Sequence, residues 1–189
     1  MEKIRSFVAI LLSEEIRDAV ASLIESLRPF GRSVAWVKTE NLHLTMKFLG
    51  HQPPETLSQV KERLAEVAKN AGPFELSFVG LGGFPDLRRP RVLWVGSCEG
   101  AENAIALAQK IDESLFRCGL PREERPFSPH LTIGRLKNPR DAQPLSTTLA
   151  EAHSRPLGRM SVSAIHLMRS DLSPHGAHYS ILHAFPLSG

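Results

Sequence analysis

Two short phrases hold the residues of this sequence that could do chemistry: His43-Leu44-Thr45-Met46 and His130-Leu131-Thr132-Ile133. With 8 His and 6 Thr among 189 residues, chance placement yields only about 0.25 His-x-Thr triplets. Two occur, both with Leu in the middle and an apolar residue following, 87 positions apart. Alternate side chains of an extended strand share a face. His43 and Thr45 therefore point one way and Leu44 and Met46 the other, and His130 and Thr132 divide in the same way from Leu131 and Ile133.

A histidine near its ordinary pKa of about 6.5 can take or give a proton at neutral pH. Two facing one ligand can divide the work, one neutral and accepting, the other protonated and donating. In-line displacement at phosphorus asks for that pair without a metal: water is deprotonated on one side while the leaving oxygen is protonated on the other. Thr45 and Thr132 would offer hydroxyl donors to the non-bridging oxygens, where transition-state charge gathers. Lys47 continues the His43–Thr45 face and would add a positive charge. Arg135 falls on the core side by strict alternation, but a bulge at Gly134 would swing it into the cleft. Zinc needs three or four ligands, and no third His, Cys or carboxylate recurs with the repeated phrase. The expectation is a site with neither metal nor cofactor.

The elements that must position these residues follow from periodicity and punctuation. Ile4–Leu12 reads as a strand. Ser13 reads as an N-cap with Glu14 and Glu15 in the first turn, opening a helix to Leu27 whose apolar positions follow helical spacing. A short strand at Val34–Val37, the motif strand Leu42–Gly50 and a helix from Pro54 to Asn70 come next. Phe74–Leu81 is predicted as a strand, Gly82–Pro90 as a loop, Val92–Cys98 as a strand and Ala101–Cys118 as a helix. The second motif strand is His130–Lys137, and a weak helix is predicted at Leu145–His153. Two closing strands, Met160–Arg169 and His178–Phe185, are joined by Ser170–Ala177.

The 87-residue offset extends beyond the motifs. It carries Phe7 to Trp94, Val8 to Val95, Val20 to Leu107, Ile24 to Ile111, Phe78 to Ile165 and Leu81 to Met168. That predicts one domain over residues 1–189 made of two internal repeats, about 4–91 and 92–185, sharing Val92–Cys98 as the seam. Two copies packed about a pseudo-two-fold axis would set a His-x-Thr strand from each against a central cleft.

Composition sets outer bounds. Hydrophobic residues make up 42% and charged residues 23% of the chain, sufficient for a core and ordinary for a soluble globular protein. The formal charge of +3 is a mild basic bias, compatible with a phosphate-bearing partner. Cys98 and Cys118 form neither a CxxC pair nor a Cys/His cluster, which favours two reduced thiols in a cytoplasmic protein. The apolar run Phe7–Leu12 is too short for a signal peptide or a membrane span.

The phrases HLTMKFLG at His43, HLTIGR at His130 and MRSDLSPHGAHY near the C-terminus resemble the 2H phosphoesterase superfamily. The branch they resemble is its RNA 2′,3′-cyclic phosphodiesterases, historically called 2′–5′ RNA ligases. The resemblance runs over nearly the whole chain. It implies an α+β fold, bilobal, with antiparallel sheets around a central cleft and no metal. It also implies hydrolysis of an RNA 3′-terminal 2′,3′-cyclic phosphate to a 2′-phosphomonoester, with reverse 2′–5′ ligation in the same site. His43 would be the general acid and His130 the general base, with Thr45 and Thr132 holding phosphate oxygens and Arg135 assisting. Nothing in the sequence itself breaks the symmetry between the two histidines.

The implied partners are RNA ends bearing a cyclic phosphate, tRNA-like fragments among them, met by a monomer with no membrane association. Two other readings stay open on the residues: a phosphodiesterase acting on a small nucleotide or ADP-ribose cyclic phosphate, and a non-catalytic RNA-binding module. Phe7 and Phe48 could stack a base, although both are expected in the core.

Overall fold

Ser13 Oγ accepts the Ile16 N–H at 3.3 Å, so the first helix opens on the cap expected for it. Ile16, Val20, Leu23, Ile24 and Leu27 form its buried stripe. The computed structural model describes residues 2–138, 154–174 and 176–189. The helix predicted at Leu145–His153 lies outside them. In chain order the elements are β1 (Ile4–Leu11), α1 (Glu14–Leu27), β2 (Val34–Trp36), a 3-10 turn (Thr39–Asn41), β3 (His43–Gln52), α2 (Pro54–Lys69), β4 (Phe74–Phe84), β5 (Val92–Ser97), α3 (Ala101–Phe116), β6 (His130–Leu136), β7 (Pro156–Val162), β8 (Ala164–Ser173) and β9 (Gly176–Pro186).

The strands form one antiparallel sheet in the order β7-β4-β5-β6-β3-β1-β8-β9, with β2 added beside β6. The fold is α+β: the sheet has two four-stranded halves, and β3 and β6 join them at its centre. These two strands pair at Leu44 and Leu131, the middle residues of the two motifs. Both are fully buried. They point with Val8, Ile10, Ile133 and Leu167 into the main core beneath the helices. Truncating either Leu to Ala would cost about 2–5 kcal/mol.

Four expectations about the strands need correction. The strand predicted at Met160–Arg169 is two strands: β7 pairs with β4 and β8 with β1, on opposite halves of the sheet. Continuous apolar patterning hid the break at Ser163, because Met160, Val162, Ile165 and Leu167 are all buried. The predicted linker Ser170–Ala177 belongs largely to the long β8–β9 hairpin, paired as far as Ser173 and Gly176. The predicted loop at Gly82 also starts later. Gly82 and Gly83 continue β4, and a Cβ at Gly82 would come within 2.1 Å of the Trp94 ring. The glycine there makes room for an indole rather than for a turn.

The fourth correction concerns the offset. Ala9 faces Thr45 and Trp94 faces Thr132, so β5 follows β1 by 85 positions where the motif strands differ by 87. Phe7 therefore corresponds to Val92, and Trp94 to Ala9. Met168 corresponds to Phe84 rather than Leu81, because Phe7 faces Met168 and Val92 faces Phe84. Leu81 lies in the helix-side core, whereas Met168 lies in a small cluster with Phe7 and Ala9.

Candidate active site

The register fixes where each motif side chain goes. Extending the Leu44–Leu131 pair sets His43 against Thr132 and Thr45 against His130 on the face away from the helices. Four polar side chains, all half-buried, thus share one patch of sheet at the junction of its halves.

Each histidine is held by a carbonyl two residues upstream. His43 Nδ1 lies 2.8 Å from Asn41 O, and His130 Nδ1 lies 2.6 Å from Ser128 O. A carbonyl can only accept, so Nδ1 carries hydrogen in both rings and Nε2 is the nitrogen left to exchange a proton. His43 Nε2 is 2.9 Å from Thr45 Oγ1, where the hydroxyl donates to the neutral ring. The supports are tied down in turn. Asn41 Nδ2 donates to Ala177 O at 2.8 Å, and Ser97 Oγ donates to Pro129 O at 3.0 Å.

Aromatic rings pack around both imidazoles. Phe7 lies 4.8 Å from the His43 ring, and Tyr179 meets that ring edge-on at 5.3 Å. Phe7, Ala9 and Met168, with Leu11 and Tyr179 against them, form a second small core on the cleft side of the sheet. On the other half, Phe84 meets His130 edge-on at 5.0 Å, and Trp94 lies 6.2 Å away. Burial pulls the His43 pKa below its usual value, against the opposing effect of the Asn41 carbonyl. Burial also lowers His130; the Ser128 carbonyl opposes this, while the Arg135 charge adds to it. Without an anion in the cleft, both rings favour the neutral form at neutral pH.

One local feature decides the two basic candidates. In β3, Thr45 faces Ala9 and Lys47 faces Val8, so Met46 is an extra, bulged residue. In β6, Thr132 faces Trp94 and Gly134 faces Leu93, so Ile133 is bulged in the same way. A bulge reverses the faces of all residues beyond it. Lys47 consequently turns away from the His43–Thr45 face, where alternation had placed it. It is 3% exposed, and its Nζ donates to Asp112 Oδ1 at 2.5 Å and to Pro121 O at 2.8 Å.

The same reversal brings Arg135 to the cleft face, exposed and near enough to depress His130. Gly134 takes the position equivalent to Lys47, and a Cβ there would lie 2.6 Å from Val34 Cγ1 on β2. Phe48 takes the position equivalent to Arg135. It is 58% exposed beside the cleft, whereas Phe7 is buried at 2%, so only Phe7 is the core residue expected. Sequence reasoning singled out neither Phe84 nor Trp94. Tyr179 had a signal, since it closes the MRSDLSPHGAHY phrase.

Among the described residues, no group of three or more His, Cys, Asp or Glu side chains is placed to hold a metal ion, and no helix is long and apolar enough to cross a membrane.

Comparison with known proteins shows the family of this chain. The sequence profile of the 2′-5′ RNA ligase superfamily matches residues 13–174. The chain is 36% identical over 185 residues to an RNA 2′,3′-cyclic phosphodiesterase of Methanothermobacter thermautotrophicus, covering 98% of this chain and 100% of that one. It is 33% identical over 192 residues to a protein of the same name in Aquifex aeolicus, covering 100% of both. Among solved structures, a Thermus thermophilus protein superposes with TM-score 0.83 at 31% identity, covering 98% of each chain. Escherichia coli LigT in complex with 3′-AMP superposes with TM-score 0.76 at 26% identity, covering 100% of each chain. With the family profile matched from α1 into the β8–β9 hairpin, and relatives matched over nearly their whole length, the chain belongs to the 2′-5′ RNA ligase superfamily.

Proposed function

We propose that this protein is an RNA 2′,3′-cyclic phosphodiesterase, hydrolysing a 3′-terminal cyclic phosphate to a 2′-phosphomonoester without a metal. The observation that carries this reading is the pair of His-x-Thr motifs on one sheet face, with both Nδ1 atoms committed to carbonyls. The names of the full-length relatives, and the capture of 3′-AMP and phosphate by LigT, support a nucleotide phosphate as the group bound. We also infer that the two halves are internal repeats, about 4–91 and 92–185; the matched bulges in β3 and β6 support this.

A phosphate bound between the motifs lies within reach of the Thr45 and Thr132 hydroxyls and the Arg135 guanidinium. Its negative charge raises both histidine pKa values from their depressed levels. Following the family resemblance, His130 Nε2 takes a proton from water as the water oxygen bonds to phosphorus. The bond from phosphorus to O3′ breaks, and His43 Nε2 delivers its proton to O3′. The ester to O2′ remains, giving the 2′-phosphomonoester. Replacing water by a 5′-hydroxyl gives the 2′–5′ linkage in the same site. Lys47, paired to Asp112 behind the sheet, takes no part.

The test is hydrolysis of a cyclic-ended oligonucleotide in EDTA, with 2′- and 3′-phosphate products resolved. Wild-type turnover to the 2′-phosphate is expected, with losses of about 10²–10⁴-fold in His43→Ala and in His130→Ala. Undiminished turnover in the double variant would reject the reading.

A further inference from the structure

The two ends of the cleft differ in chemistry. At the β3 end the cleft-facing position beyond the bulge is Phe48. Charges nearby are engaged: Arg169 Nε pairs with Asp171 Oδ1 at 2.9 Å, and Arg5 donates to Ser170 Oγ at 2.5 Å. At the β6 end the equivalent position is Arg135, and two segments converge beside it. Leu136 N donates to Arg91 O at 2.9 Å, joining β6 to the tip of the β4–β5 hairpin. On the other side Val34 and Ala35 of β2 pair with Leu136 and Arg135.

These segments bring Arg32, Arg88, Arg89, Arg91, Arg135 and Lys137 to one end of the sheet, all exposed. Among the described residues of these segments the one carboxylate is Asp86, whose Oδ1 accepts the Arg88 and Arg89 backbone N–H groups at 2.8 and 3.0 Å. That holds the hairpin tip in shape and leaves the guanidinium groups outward. Among the described residues the salt bridges engage Arg28, Lys47, Arg63, Arg117 and Arg169, none of these six. The local excess of positive charge is larger than the formal +3 of the whole chain. Over the remainder of the chain 17 Lys and Arg are set against 19 Asp and Glu, whereas in these segments six exposed cations share one carboxylate, which makes this end of the sheet a local concentration of positive charge.

The geometry points to this end, the β4–β5 hairpin arginines together with Arg32 and Lys137, as a track for the RNA backbone beyond the nucleotide in the cleft. Its partner is a single-stranded polyanion, held through its phosphates without base readout. This rests on the proposed function, which places a terminal nucleotide between the histidines. Arg135 belongs to both features, as the last charge of the site and the first of the track.

The test compares wild type with Arg88→Glu/Arg89→Glu, two exposed loop positions outside the catalytic cluster. One substrate is a mononucleotide 2′,3′-cyclic phosphate. The other is a cyclic-ended oligonucleotide within the site size of about 4–16 nucleotides typical of single-strand grooves. The expected result is unchanged kcat/KM for the mononucleotide, which also reports that the variant is folded. For the oligonucleotide KM should rise about tenfold. The slope of log affinity against log salt should shrink by about 0.7 for each phosphate that the variant no longer neutralises. A control pair, Arg63→Glu/Arg117→Glu on α2 and at the C-terminal end of α3, carries the same change in net charge and should leave both substrates unaffected.

Equal loss in the control pair, or no loss in the hairpin variant, overturns the track while leaving the phosphodiesterase assignment standing. Fluorescence anisotropy of the labelled oligonucleotide reads the same difference if the wild type turns over neither substrate, an outcome that would reject the proposed function alone.

Discussion

Lys47→Met removes an ammonium from behind the motif strand while keeping most of its apolar stem. The Lys47 side chain is 2% exposed and that of its partner Asp112 is 18% exposed. Nζ also supplies the hydrogen bond to Pro121 O at 2.8 Å. Breaking a fully buried pair by deleting one partner costs about 3–5 kcal/mol. Asp112 keeps the Glu123 N–H at 3.1 Å and some access to water, which brings the expected loss to about 2–3 kcal/mol. For a chain of this size that lowers Tm by about 4–12 °C. Urea unfolding should show a lower midpoint with an unchanged slope.

Burial works to raise the Asp112 carboxyl, but the Lys47 ammonium, the Glu123 N–H and the Arg122 charge together hold it below its usual value. A carboxyl depressed in the folded state stabilises above its unfolded pKa of about 3.9 and loses that contribution as pH falls below it. The gap between wild type and variant should therefore narrow in acid. Activity measured well below Tm should stay within about threefold of wild type, because the ammonium lies behind the sheet and does not reach the cleft. A hundredfold fall in kcat/KM with unaltered unfolding would refute this placement and return Lys47 to the phosphate site.

Three further outcomes follow from the cleft. Both histidines are depressed below about 6.5 in the free protein, so the bell-shaped kcat/KM profile should peak below pH 6.5; a maximum above pH 7 would contradict the burial argument. Because the unfolded chain then binds more protons than the folded one, stability should fall as pH drops through about 6.5 toward the folded values, and replacing both histidines by Asn should weaken that dependence, leaving the part due to His166, which burial also depresses. Phe48→Ala exposes no core and should change stability by less than about 0.5 kcal/mol. If Phe48 stacks the terminal base, the substitution should raise KM by about five- to a hundredfold, the range of one lost base–aromatic stack, and an unchanged KM would place the base elsewhere.

The sequence by itself carried the two His-x-Thr phrases, the helices α1, α2 and α3 with the Ser13 cap of the first, and the side of the sheet on which His43, Thr45, His130 and Thr132 lie. These depend on local alternation and helical period, which a single stretch of chain carries whole. It also suggested a bulge beside Gly134, where the missing side chain made one plausible. Only the tertiary structure showed that β3 bulges at the matching position without any glycine. That single extra residue sends Lys47 to Asp112 and brings Phe48 out beside the cleft. The strand break at Ser163, the shorter offset between β1 and β5, and the packing of Phe84, Trp94 and Tyr179 against the histidines were likewise decided in three dimensions. Each is a matter of which strand pairs with which, and in what register. Pairing joins residues far apart in the chain, and one inserted residue exchanges the two faces of everything beyond it, so no local pattern can carry that information.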